Sequence, residues 1–148
     1  MDARVKDPFA DEAGVERAGL GLIGASLPKE EWTHAAHFAA VLWLLRRDGV
    51  AAVSRDMPDL IRTYNAEVGG VNSDTEGYHE TITQASIRAA ANMLALNPDA
   101  PLNEVLGDLM ATSLGRSDWL LTYWNKATLF SVAARRGWVE PDIAPLPY

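Results

Sequence analysis

The segment KEEWTHAAHFAAVLWLLRR, residues 29–47, constrains the fold more than any other stretch of the chain. Wound as an α-helix, it has no face fit for water. Val41, Leu44 and Leu45 fall on one side, and Trp32, Ala36, Ala39, Ala40 and Trp43 on the other. A helix that is apolar all round has to be central, enclosed by other elements. Its apolar run, residues 35–45, is 11 residues long, where a bilayer crossing takes about 20, so the enclosing material is expected to be protein. Two of the chain's three histidines, His34 and His37, nevertheless sit in this segment. An imidazole in a core needs partners for its ring nitrogens, so their placement has a cost that something must offset.

The remaining chain offers helices for the enclosure. Residues 9–24 place Phe9, Ala13, Val15, Leu20 and Ile23 at loose helical spacing, in a helix that its glycines weaken. SLPKEE opens the second helix, with Pro28 in the first turn, and Gly49 suits its end after about Arg47. A third helix is expected from Ala52 to Val68, with Pro58 marking either a kink or its true first turn. Ser73 and Glu76 have the spacing of a capping box and begin a fourth helix that reaches about Leu96. Shorter helices are expected at 102–113, at 117–126 with Ser117 as N-cap, and at 128–136. The tail WVEPDIAPLPY carries three prolines after Glu140, so residues 137–148 read as an extended strap. Its Trp138, Val139, Ile143, Leu146 and Tyr148 are expected to lie over the domain or over a partner subunit. The expected fold is all-α: one domain over residues 1–148, a bundle of about four main helices with short C-terminal ones and the strap.

Thirteen Lys and Arg oppose twenty Asp and Glu, a net charge of −7, which leaves little basic face for nucleic acid. Arg46–Arg47 and Arg135–Arg136 stand where helices end, a position the helix dipole favours for cations. The absence of cysteine removes disulfides, thiolate metal sites and cysteine nucleophiles together. MDARVKDPFADEAG lacks the apolar run of a signal peptide. A cytoplasmic protein with no nucleic-acid or membrane partner is expected. Trp119, Tyr123 and Trp124, with Trp138, read as a packed core, a subunit seam or an aromatic lid, and a homo-oligomer is expected.

The candidate site follows from helical geometry. At 100° per residue, His34 and His37 lie within about 60° of one another, with Glu30 between them and the stripe continuing into Val41, Leu44 and Leu45. On the fourth helix His79 flanks a stripe of Tyr78, Ile82, Ala85, Ala89, Met93 and Leu96, in line with Thr83 and Ser86, whereas Glu80 points away. Three histidines from two helices match the ligand count of an open zinc, iron or manganese site. Glu30 or Glu31 is the candidate carboxylate and catalytic base beside them. Glu31 and His34 have the Glu-x-x-His spacing of di-iron bundles, but only one such motif is present. Tyr64, Asn65 and Thr83 are candidates to line the same pocket around a small-molecule ligand. Two further readings stand beside a metal site. One is a metal-free pocket in which His and Glu perform acid–base work. The other is an interaction module whose histidines are core residues bonded to backbone or to hydroxyls such as Tyr64, Thr33 or Thr81. Composition and spacing select no reaction.

The combination of WTHAAH (32–37) and GYHET (77–81), followed by LFSVAARRGWVEPDIAPLP (129–147), resembles an uncharacterised family of small all-helical bacterial proteins. The resemblance runs from about Glu30 to the last residue. It implies a shared helical fold and marks His34, His37 and His79 as the motif histidines; it implies no activity, substrate or cofactor. DinB-type bundles are similar only in architecture: they also use three histidines from bundle helices, at different spacings.

Overall fold

The computed structural model describes residues 7–148. Seven α-helices and no strands are present among them: α1 (Glu12–Ile23), α2 (His34–Asp48), α3 (Val50–Glu67), α4 (Glu80–Leu96), α5 (Leu102–Ala111), α6 (Lys126–Leu129) and α7 (Val132–Arg136). None of these is long and apolar enough to cross a membrane. The fold is a single all-α domain.

Helix α2 is the hub, packed against α1, α3, α4 and α5. Ala36, Phe38, Ala39, Ala40, Leu42 and Leu44 are all buried, so both sides of the helix are enclosed. Small residues let the neighbours come close. Gly19 of α1 lies against the Trp43 indole, and a Cβ at Gly19 would sit 2.4 Å from Trp43 Cε3. The glycines that weaken α1 in isolation thus make its contact with the hub.

Helix starts differ from the sequence expectation in physically specific ways. Asp11, not Phe9, opens α1, its carboxylate accepting from Gly14 N at 3.0 Å. Pro28 does start a helical turn, but only the 3₁₀ turn Lys29–Glu31. The α-helix begins afresh at His34, with the Thr33 hydroxyl accepting from Ala36 N at 3.2 Å. Ser73 forms a local turn, accepting from Glu76 N at 3.3 Å, without a helix behind it. Gly77 ends that turn at φ 84°, and a Cβ there would meet Val71 O at 2.3 Å; helix α4 starts three residues later.

Pro58 lies inside α3. Having no N–H, it leaves the Ser54 carbonyl without its usual helical donor. Gln84 of α4 fills the gap, its side-chain amide donating to Ser54 O at 3.1 Å. The helix continues through the proline because a neighbouring helix supplies the missing bond.

Residues 117–126 form no single helix. A 3₁₀ turn covers Trp119–Thr122, and Asn125 N donates to the Asp142 carboxylate at 2.8 Å instead of to a carbonyl four residues back. The tail, free of regular structure, lies on its own chain. Ile143 N donates to Tyr123 O at 2.9 Å, Trp124 Nε1 donates to Val139 O at 2.9 Å, and Val139 N donates to Thr81 Oγ1 at 3.2 Å. Trp119 and Trp124 are buried within this packing, with Trp138 edge-on to Trp124 and Tyr148 edge-on to Trp119. Bonds from Thr128 Oγ1 and from Asn125 hold the Asp142 carboxyl below the usual aspartate range.

The glycine contact gives a test by sign. Gly19→Ala should destabilise the fold by about 1–3 kcal/mol in chemical denaturation, because the methyl group overpacks the contact with Trp43. Gly107, exposed in α5 with open space around the Cβ position, should respond oppositely, its change to alanine adding about 0.5–1 kcal/mol.

Candidate functional site

A cavity of about 180 Å³ opens between α2, α3, α4 and the 117–120 stretch. His34 and His37 both line it, together with the hydroxyl residues Thr83, Ser86 and Ser117. Its apolar wall comes from Phe38 and Val41 of α2, Ile61 of α3, Ile82 of α4, and Trp119 and Leu120. No Asp, Glu, Lys or Arg is among the lining residues.

Each of these two imidazoles is tied at one nitrogen. His34 Nε2–H donates to Leu114 O at 2.8 Å, joining the start of α2 to the 3₁₀ turn Ser113–Gly115, while its ring stands edge-on to Phe38. His37 Nδ1–H donates to Thr33 O at 2.7 Å, one helical turn back. The uncharged ring then carries a lone pair on its other nitrogen, Nδ1 of His34 and Nε2 of His37. Neither of these has a hydrogen-bond partner among the described residues. The half-buried His34 keeps its Nδ1 in contact with solvent, since Arg135 Nε is the one buried side-chain N or O atom without a partner among the described residues.

Protein crowds the His37 ring on several sides, with the Trp32 ring centroid 3.9 Å away. That crowding pushes its pKa from 6.5 down to about 4; the backbone bond at Thr33 opposes the shift and the nearby His34 adds to it. The ring is nevertheless exposed at its open edge, and water there offsets part of the desolvation. The direction is downward, and the ring is uncharged at neutral pH.

His79 occupies a different place. It is buried, and both ring nitrogens are engaged: Nε2–H donates to Leu129 O at 2.7 Å, and Nδ1 accepts from Ile82 N at 3.1 Å. The imidazole is the N-cap of α4 and the fastening between that helix and α6. Burial lowers its pKa, consistent with a ring whose Nδ1 must accept.

The carboxylates lie elsewhere. The wheel that aligned Glu30 with the histidines assumed one continuous helix, and the break at Trp32–Thr33 interrupts it. Glu30 and Glu31 line a separate hollow of about 580 Å³ beside α1, and Glu31 forms an exposed ion pair with Arg17. The bond to Arg17 holds the Glu31 carboxyl below its ordinary range. Of the expected pocket residues, Thr83 lines the cavity. Tyr64 is buried behind it, its hydroxyl donating to Leu27 O at 2.7 Å and its ring 5.0 Å from that of Trp32. Tyr64 thus backs the Trp32–His37 stack. Asn65 bonds Asn72 at 3.1 Å, stapling the loop after α3. Among the described residues no group of three or more His, Cys, Asp or Glu is placed to hold a metal ion. Ser117, expected as the N-cap of a helix, instead lines the cavity from an irregular segment, and the Leu114 carbonyl that holds His34 comes from the turn before it.

Two substitutions separate these roles. His79→Ala removes a helix cap and leaves the Leu129 carbonyl without its donor, so it should cost about 1–3 kcal/mol. His37→Ala should cost less and should change the pH dependence. Between pH 6.5 and about 4 the unfolded chain protonates at this position while the folded ring resists. Stability should therefore be full above that window, fall as pH is lowered through it, and level off below. Urea midpoints measured from pH 7 to 4 should fall less steeply in His37→Ala than in the parent protein.

No family model matches the chain, and no significant match to it was found among curated proteins or solved structures.

Proposed function

We propose that this protein binds a compact small molecule in the cavity between α2, α3, α4 and the 117–120 stretch. The observation that carries the reading is the pair of imidazoles on one cavity, each with one nitrogen fixed by a backbone carbonyl and the other without a partner among the described residues. Apolar walls with a few convergent polar groups are the usual make-up of a ligand site. A volume of about 180 Å³ is small for a drug-sized ligand; apolar cavities of about 150 Å³ hold a molecule the size of benzene. His37, its pKa lowered by the protein crowding its ring, is a weaker proton acceptor than a free imidazole and a competent hydrogen-bond acceptor. This favours binding over general-base catalysis at that ring.

A second reading, a divalent zinc, iron or manganese ion, is supported by one feature. An Nδ1–H held by a backbone carbonyl is the outer contact that metal-bound imidazoles commonly make, and it aims Nε2 as a ligand. His34 and His37 would be the protein donors, with hydroxyls or water completing the shell. His79 has no nitrogen to spare.

Histidine ring signals in ¹³C-labelled protein test both readings. Saturable shifts of the His34 and His37 signals with compact neutral ring compounds, and none at His79, are expected. Saturable binding that maps instead to the hollow beside Arg17, or none with any compound, would overturn the ligand reading. Stoichiometric zinc uptake at His34 and His37, lost in the folded His34→Ala variant, would replace it with the metal one.

A further inference from the structure

We infer that the ligand is an uncharged, ring-sized hydrogen-bond donor, a phenol or arylamine type of molecule, whose O–H or N–H is received by the free nitrogens of His34 and His37. This inference rests on the ligand reading of the cavity and narrows it to a chemical class.

Three features of the cavity carry it. The first is a run of acceptors at His34, His37 and Ser86. Leu114 O and Thr33 O take one ring N–H of His34 and of His37, both of which line the cavity, so the second nitrogen of each uncharged ring carries a lone pair that can accept. Ser86 is committed in the same way: its hydroxyl donates to Ile82 O at 2.7 Å, leaving only oxygen lone pairs. A ligand carbonyl or ether placed there would face lone pairs and lose its bonds to water without replacement. A ligand O–H or N–H replaces them. The Thr83 hydroxyl lies beside that of Tyr78, whereas the hydroxyl of Ser117 can turn to either role, so a phenolic oxygen can be a donor to the imidazoles and an acceptor from Ser117.

The second feature is the absence of charge. With no Asp, Glu, Lys or Arg among the lining residues, a carboxylate or an ammonium entering the cavity would shed water without gaining a counter-ion. The third is shape. Phe38, Trp119, Ile61 and Ile82 present flat or branched apolar surface, and the volume suits one ring with a short substituent. The low pKa of His37 agrees with these features, since the ring stays an acceptor across the neutral range.

The test is a matched series titrated into the full chain at pH 7, read from the His34 and His37 ring signals: phenol, aniline, anisole, toluene, benzoate and benzylammonium. Phenol and aniline should bind at least tenfold more tightly than anisole or toluene, and the two ions should bind most weakly. In His37→Ala the preference for phenol over toluene should shrink severalfold while toluene still binds, a readout that loss of folding would not produce. Equal affinity for phenol, anisole and toluene, or tightest binding of benzoate or benzylammonium, would overturn the inference while leaving a ligand cavity in place. Failure of every compound, toluene included, to bind at the cavity would instead sink the ligand reading on which the inference depends.

Discussion

Burial of α2 on all its sides is the constraint on which the rest of the structure depends. The run of residues 35–45, apolar throughout except for His37, gives up a large hydrophobic free energy only if water is removed from the entire circumference. Four helices are needed to do that, and α1, α3, α4 and α5 provide them. The close approach requires small side chains where backbones meet, which explains the alanines of α2 and the glycine of α1 that faces Trp43. The first turn of α2 is where enclosure by long helices stops. There the covering passes to the irregular 113–122 segment and to the strap behind it, and there the cavity opens.

The three histidines divide according to how many of their nitrogens the fold employs. His79 uses both and acts as a fastening. His34 and His37 each use one. A ring with one nitrogen anchored has its tautomer and orientation set, and its second nitrogen is presented in a defined direction. The same bond that holds His34 in place also ties it to the turn carrying Leu114, which precedes the lining stretch at 117–120. Trp32, between His37 and the buried Tyr64, gives the second ring a rigid backing.

The architecture was legible because hydrophobic periodicity reports burial directly. The run in α2 is buried as its pattern requires, and Ala85 and Ala89 of the α4 stripe are buried with it, while Leu96 at the end of that stripe is exposed. Shared location of His34 and His37 was legible for the same reason, since both fall in one turn of one helix. What escaped was set by partners distant in sequence. His79 became a cap because Leu129 and the N-terminus of α4 converge on it, and neither periodicity nor spacing encodes that. Glu30 lost its alignment because a 3₁₀ turn and a new cap at Thr33 intervene between Pro28 and the helix. Ser73 made its local bonds as a cap would, but the left-handed Gly77 ended the turn.

The bond from Gln84 to the carbonyl that Pro58 leaves free has a consequence for the shape of the cavity. Ile61 stands three residues after Pro58, and Thr83 and Ser86 flank Gln84. One hydrogen bond therefore fixes the slide of α3 along α4 at the level where both helices contribute wall residues. Replacing Pro58 with a residue that has an N–H would return the Ser54 carbonyl to its own helix and set Gln84 loose. The helix would gain a bond and the cavity would lose its gauge, so local repair of α3 and accuracy of the binding site are opposing demands on the same position.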